Sequence, residues 1–486
     1  VDSPSLPLQS RRTVCHLRLD ALEANEATIL PKMLPASRSS VTASRFLVRS
    51  LPLLAALLGF LLAGATAARA ETAVLTRWPT GDNVCVDAPL RLTFDKPPVL
   101  GATGKIEVCR AADGQPVETI VLGATHYMDR FGANDGASML SYLPVRIEGA
   151  TASIRLRAGS MSYGESYVVH IEPGVFSDFA GIAGDQWKFT TKAAPARDPD
   201  RLDVAADGSR DFCTVQGAVD QIQPFRTAPA TIFIHNGRYE EIVRVGRERP
   251  YIRFVGEDRK GTVIACTNNS KLNPGWIQRS VLGVEGDHFE LENLTVQNTT
   301  PYKGSQAEAV FVNAEHCTLK NANFLSFQDT LCLNGSVHII GCYVEGDVDY
   351  LWGTGSGFFE GCELRSMHDG YLEQARNPVG KPGYLFLNCK LTAAPEVKRT
   401  WLARIDQGRF PYSAVVFIHC QMGPHIPAAG WQVTGTPPST TLGFAEFQST
   451  DLAGKLLDVT KRDPSGKQLS EQDATAQVAA MRTLTQ

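Results

Sequence analysis

Apolar and polar residues alternate in two different ways along this chain. Between residues 71 and 192 the runs are short and two-periodic. Leu90-Arg91-Leu92-Thr93-Phe94, Ala152-Ser153-Ile154-Arg155-Leu156 and Tyr167-Val168-Val169-His170-Ile171 are examples, separated by turn residues such as Pro79-Thr80-Gly81-Asp82 and Ala112-Asp113-Gly114. That pattern predicts a small antiparallel sandwich. From about residue 201 onward a hexapeptide recurs instead: Leu291–Val296, Leu319–Phe324, Ile339–Val344, Phe359–Leu364, Phe386–Leu391 and Phe417–Met422. Each opens and closes apolar, and usually carries Asn or Gly third. Starts 20 to 31 residues apart imply one coil per repeat, with insertions of variable length. Strands this short suit a parallel β-helix. The fourth position holds Leu294, Ala322, Cys342, Cys362, Cys389 and Cys420, which predicts one inward column of small or thiol side chains.

A solenoid must cover its first coil. Thr214–Phe225 fits that task, since Val215, Ala218, Val219 and Ile222 share a helix face and Thr214 can cap it. Lys192–Asp200, rich in Pro and Asp, reads as a linker. The expected organisation is therefore a leader over 1–70, a sandwich over 71–192, a linker over 193–200 and a β-helix with its tail over 201–486. Cys85 and Cys109, both in the sandwich, are candidates for a bridge.

One apolar stretch, Leu51–Ala68, follows Arg45 and Arg49 and precedes Ala68-Arg69-Ala70. Basic flank, apolar centre and small-residue exit describe a secretory signal cleaved after Ala70, with a membrane anchor as the alternative. Residues 1–44 read as an over-extended start, with Met33 as the true beginning. The mature chain is then expected in the periplasm or secreted, off the membrane and monomeric. Its 47 Lys and Arg against 51 Asp and Glu leave a formal charge of −4, which argues against bulk nucleic-acid binding. The cysteines and histidines show no zinc-like spacing.

The candidate chemistry follows from stacking. Asp329 and Asp349 lie 20 residues apart, the spacing of Cys342 and Cys362. Coils in register thus place both carboxylates on one face, about 4.8 Å apart between strands. Two such acids cannot both ionise easily, so one becomes an acid and the other a nucleophile. Taken singly, Asp329 is an ordinary turn residue, Gln306 and Gln328 are coil or ladder amides, and Arg404 is a surface ion pair.

Val204–Ser209, Asn236–Glu240, Gly304–Val310, Phe327-Gln-Asp-Thr330, Asp349-Tyr-Leu-Trp-Gly353, Trp401-Leu-Ala-Arg404, Gly430-Trp431 and Phe444–Phe447 together resemble the pectin methylesterase family, carbohydrate esterase family 8. The sandwich more loosely resembles bacterial Ig-like modules. The first resemblance implies an all-β, right-handed parallel β-helix that hydrolyses methyl esters of polygalacturonate. It implies Asp349 as nucleophile, Asp329 as acid and base, Gln306 and Gln328 at the oxyanion, and Arg404 on Asp349. Thr300, Trp431 and Trp352 become substrate positions; of the two indoles, Trp431 is expected in the groove and Trp352 toward the core. No metal or organic cofactor is expected. The chain departs from the family just beyond Arg404, where Ile405-Asp406-Gln407-Gly408 stands in place of a groove-lining Trp. That departure keeps open a different ester or an acyl thioester as substrate. A non-catalytic glycan-binding β-helix is the remaining alternative, and a lyase would need a calcium-binding carboxylate cluster.

Overall fold

The computed structural model describes residues 72–123, 127–131, 138–194, 200–436 and 439–485. The expected leader and most of the expected linker lie outside the described residues. Residues 68–486 form one compact unit.

Two antiparallel-rich sheets come first. One runs in the order Val74–Trp78, Leu90–Phe94, Thr151–Ile154 and Val145–Glu148. The other runs Gly81–Val84, Lys188–Thr191, Ser166–Ile171, Lys105–Arg110 and Pro116–Val121. The alternating residues seen in the sequence face each other between the sheets, where Leu92, Phe94, Val108, Tyr167, Val169 and Phe189 share one core. A hairpin, Tyr127–Phe131 with Ser138–Tyr142, stands apart from both sheets.

The rest is a parallel β-helix. Eleven parallel strands, from Arg201–Val204 to Lys467–Gln468, form one sheet, and a branched fifteen-stranded sheet forms the remaining faces. The hexapeptides stack in the register their sequence implies. Leu291 pairs with Leu319, Leu319 with Ile339, Ile339 with Phe359, Phe359 with Phe386 and Phe386 with Phe417. Their last residues, Val296, Phe324, Val344, Leu364, Leu391 and Met422, pair in the same order. The third position explains itself: Asn293, Asn321, Gly341, Gly361, Asn388 and His419 all have φ between 47° and 64°. A left-handed residue bends the chain from one sheet to the next, and Asn and Gly bear that conformation most cheaply.

The thiol column is buried, and the cysteines are free. Each Sγ donates to a carbonyl one coil away: Cys342 to Leu319, Cys362 to Ile339, Cys389 to Phe359 and Cys420 to Phe386, all at 3.4 Å. Cys85 and Cys109 are not bridged either. Cys85 instead sits beside Cys213 of the first coil, with the Lys192 Nζ 3.1 Å from its sulfur.

A helix, Val215–Gln221, closes the first coil, its Gly217 N–H donating to the Thr214 hydroxyl at 3.0 Å. It is shorter than expected because Ile222 already has extended φ and ψ. The C-terminal helix, Glu471–Thr485, covers the outer face of the eleven-stranded sheet, packing Ala474 and Met481 against Phe358, Leu385 and Ile418. Among the described residues no helix is long and apolar enough to cross a membrane.

Candidate active site

Asp329 and Asp349 occupy equivalent bends of consecutive coils. Leu331 pairs with Leu351, two residues beyond each aspartate. The Asp329 N–H donates to Val348 O at 3.1 Å, and the Asp347 N–H to Phe327 O at 2.8 Å. Both aspartates have positive φ, 67° and 48°, so each bend turns its side chain out of the strand. The tight fit needs a glycine beneath it: a Cβ on Gly346 would lie 2.2 Å from the Tyr350 Cβ and 2.8 Å from Phe327 O.

The two carboxyls are both buried but differently partnered. Arg404 grips Asp349 with two bonds, Nε to Oδ1 at 2.8 Å and Nη2 to Oδ2. The Arg404 guanidinium also lies 4.3 Å from the Tyr371 ring centre. Burial raises the Asp349 pKa, and the Arg404 bonds and charge oppose that rise. Asp329 is pushed well above the usual carboxylate range, first by burial, then by the neighbouring Glu308 charge, with Asp349 adding to it and Arg279 opposing. The environment thus favours the proton on Asp329 over the Arg404-paired Asp349.

Two residues absent from the sequence-based reading complete this cluster. Arg279 donates from Nε to both Glu308 oxygens, at 2.9 and 2.8 Å, and from Nη2 to Asp329 Oδ2 at 2.9 Å. The sequence did hold a signal for Glu308: it precedes Asp329 by 21 residues, nearly the interval that links Asp329 to Asp349. Arg279 leaves no such trace, because it reaches the site from a loop.

Gln306 is half-buried. Its Oε1 accepts from Ser270 Oγ at 2.8 Å and Ser305 Oγ at 3.2 Å, which leaves the amide nitrogen as the end that can donate elsewhere. Gln328 is bound to the same coil, its carbonyl accepting from the Ala307 N–H at 3.1 Å.

The aromatic residues are arranged otherwise than expected. Trp431 is 2% exposed and lies in the β-helix core, stacked on Phe444 with centroids 5.0 Å apart and tilted against Phe417. It pairs with Ala403, whose side chain points inward, so it offers no face to a groove. Trp352 lies on the opposite, outer side of its strand with Phe311 and Cys332. It is 1% exposed, roofed edge-on by Trp276 at 5.1 Å and flanked by the Arg279 and Arg376 guanidinium groups. The indole open to solvent is Trp276, 45% exposed. Tyr302, 42% exposed, stacks on His368 with centroids 3.6 Å apart, beside Phe327. Thr300 is buried in a bend: its hydroxyl donates to Asn268 O at 3.1 Å and accepts from Asn269 Nδ2 at 3.2 Å. Its hydroxyl thus shapes the loop. Asp406, where the family has its Trp, closes a turn by accepting from the Gly408 N–H at 3.0 Å.

Among the described residues, one group has metal-ligand spacing: Cys85, Asp87 and Cys213, at the first coil. It is poorly suited to a cation. The Lys192 ammonium touches Cys85, and the Asp87 oxygens already accept from the Cys213 and Thr214 N–H groups and the Thr214 hydroxyl.

The arrangement can therefore attack an acyl carbon, hold an oxyanion and protonate a leaving group. Comparison with known proteins bears on which acyl group. The pectinesterase family profile matches residues 201–481. Pectinesterase 31 of Arabidopsis thaliana is 32% identical over 246 residues, 48% of this chain and 76% of that protein. Pectinesterase 2 of Olea europaea is 28% identical over 290 residues, 57% of this chain and 77% of that protein. Among solved structures, the pectin methylesterase from carrot superposes with a TM-score of 0.53 at 21% identity, covering 61% of this chain and 98% of its own. That of Aspergillus niger gives 0.51 at 22% identity, covering 60% and 97%.

Proposed function

This chain belongs to the pectinesterase family, and on that premise we propose that it is a carboxylic ester hydrolase cleaving the methyl esters of pectin through an Asp349 nucleophile. An Asp349 oxygen attacks the C6 carbonyl of a methyl galacturonate unit. The negative charge that develops on the carbonyl oxygen meets the Gln306 amide N–H, with Gln328 beside it. As the C–O bond to the methoxyl group breaks, Asp329 gives up its proton and methanol leaves. Asp329, now a carboxylate, takes a proton from water as that water attacks the acyl-enzyme, which frees the acid product and restores both aspartates.

The observation that carries this reading is the in-register stacking of an Arg404-gripped Asp349 on a buried Asp329 held by Arg279. Trp276, Tyr302 and His368 support a sugar substrate, since they offer aromatic faces near the carboxylates although Asp406 replaces the usual Trp. Action outside the cytoplasm is part of the same proposal, resting on the apolar leader and on the substrate.

Methanol release from highly methylated polygalacturonate tests it. The wild type is expected to turn over, and Asp349→Ala and Asp329→Ala each to lose roughly a thousandfold or more while keeping the native circular dichroism spectrum. Full activity in either variant refutes the assigned role.

A further inference from the structure

The β-helix does not build its active site alone. The hairpin that stands apart from the sandwich sheets reaches the loop between Thr267 and Ser280, which carries Arg279. Ser141 of the hairpin and the Asn273 side chain make a reciprocal pair: Ser141 N–H to Oδ1 at 2.8 Å, and Nδ2 to Ser141 O at 2.9 Å. Asn273 Nδ2 also donates to Asn268 Oδ1 at 2.8 Å. Asn268 Nδ2 then donates to Gln278 O and Ser280 O, the carbonyls on either side of Arg279, both at 2.8 Å. Both asparagines are buried, and every amide hydrogen in the chain of bonds is used. Beside this clamp, Leu140 of the hairpin packs fully buried against Ile242 of the β-helix.

The same loop touches both working ends of the site. Arg279 binds Glu308 and Asp329, as above. Ser270 donates its hydroxyl to Gln306 Oε1 at 2.8 Å and its N–H to Gln306 O at 3.0 Å. An Arg side chain on a loop is positioned only as well as its backbone is, and here the carbonyls flanking it are held jointly by Arg244 Nη2 of the β-helix, at 3.0 Å from each, and by a residue that the hairpin holds.

We propose that the N-terminal sandwich is an active-site brace: its hairpin, acting through Asn273, sets the loop that places Arg279 against Asp329 and Ser270 against Gln306. Asn273 is a positioning residue, and its role rests on the catalytic reading above. The family match begins at residue 201, so the hairpin is an element the matched region does not contain.

The sign of the effect is specific. The Arg279 charge lowers the proton affinity of Asp329. Releasing the loop weakens that contact, so Asp329 holds its proton to higher pH. For Asn273→Ala in the full chain, with methylated polygalacturonate as substrate, kcat is expected to fall about tenfold or more with little change in KM. The basic limb of the pH–rate profile is expected to move upward. Asn273→Asp keeps the acceptor for Ser141 N–H but turns a carboxylate oxygen toward Ser141 O and Asn268 Oδ1, and should fall at least as far. Hydrogen exchange gives a readout independent of turnover: residues 267–280 and 304–308 should lose protection in Asn273→Ala and in Leu140→Ala.

An unchanged pH profile with unchanged kcat per folded molecule, or unchanged protection of that loop, overturns the brace. If Asp349→Ala abolishes methanol release while Asn273→Ala behaves as wild type, the brace alone fails. If the wild type releases no methanol, the catalytic reading fails, and hydrogen exchange still decides whether the hairpin holds the loop.

Discussion

Asp329 takes its character from burial and from four charged neighbours that pull in opposite directions. Burial raises its proton affinity most, Glu308 and Asp349 add to that rise, and Arg279 and Arg376 oppose it. Glu308→Gln is the informative change, because it removes one repulsion with little change of shape. The active form needs Asp329 protonated. Without the Glu308 charge, its proton is lost at lower pH, and Arg279, freed from one partner, pulls in the same direction. The basic limb of kcat/KM against pH should therefore move to lower pH, opposite to the shift expected for Asn273→Ala. No shift, or an upward one, contradicts this account. At this scale much was legible: the interval between Asp329 and Asp349 located both. Glu308 lies 21 residues before Asp329, one more than that interval. The reversal of Trp352 and Trp431 has a physical reason too. Leu351 stacks inward on Leu331, so the next residue, Trp352, must point out; Trp431 follows a loop, and only its pairing with Ala403 reveals that it points in.

At the scale of the element, the coil is governed by its bend. The column of Asn293, Asn321, Gly341, Gly361, Asn388 and His419 converts a hexapeptide into two strands joined by one left-handed residue. Asn388 is exposed, with φ 54°, so substitution there probes backbone conformation without disturbing packing. Asn388→Gly should leave stability near that of the wild type. Asn388→Val should cost about 1–2 kcal/mol, the penalty for forcing a branched side chain into that region. Urea unfolding midpoints of the two variants check the difference, and equal midpoints would show that the bend is set by something other than φ. The strands themselves were readable because both ends of each hexapeptide pair with their counterparts in every neighbouring coil. The insertions between coils were not readable. Loop 267–280 is held in part by two hydrogen bonds with a hairpin more than a hundred residues earlier, and no local pattern encodes those.

On the scale of the whole molecule, the sandwich and the β-helix meet through cooperating side chains. Asp87 of the sandwich accepts from the backbone of Cys213 and Thr214, where the capping helix begins, and Ser141 grips Asn273 of the loop that carries Arg279. The first contact tethers the start of the solenoid; the second reaches the loop from which Arg279 extends. Inside the core, Glu373 is fully buried with both carboxylate oxygens unpartnered, and burial raises its pKa well above the usual range. The Asp349 charge, one coil before it, adds to that rise. The central claim is that Asp349 attacks the substrate. Quenching the enzyme during turnover of a methylated galacturonate oligomer into hydroxylamine converts an acylated aspartate into its hydroxamate, which peptide mass spectrometry locates. The account predicts the hydroxamate on Asp349; modification of a different residue in its place, with Asp349 unaltered, would contradict it.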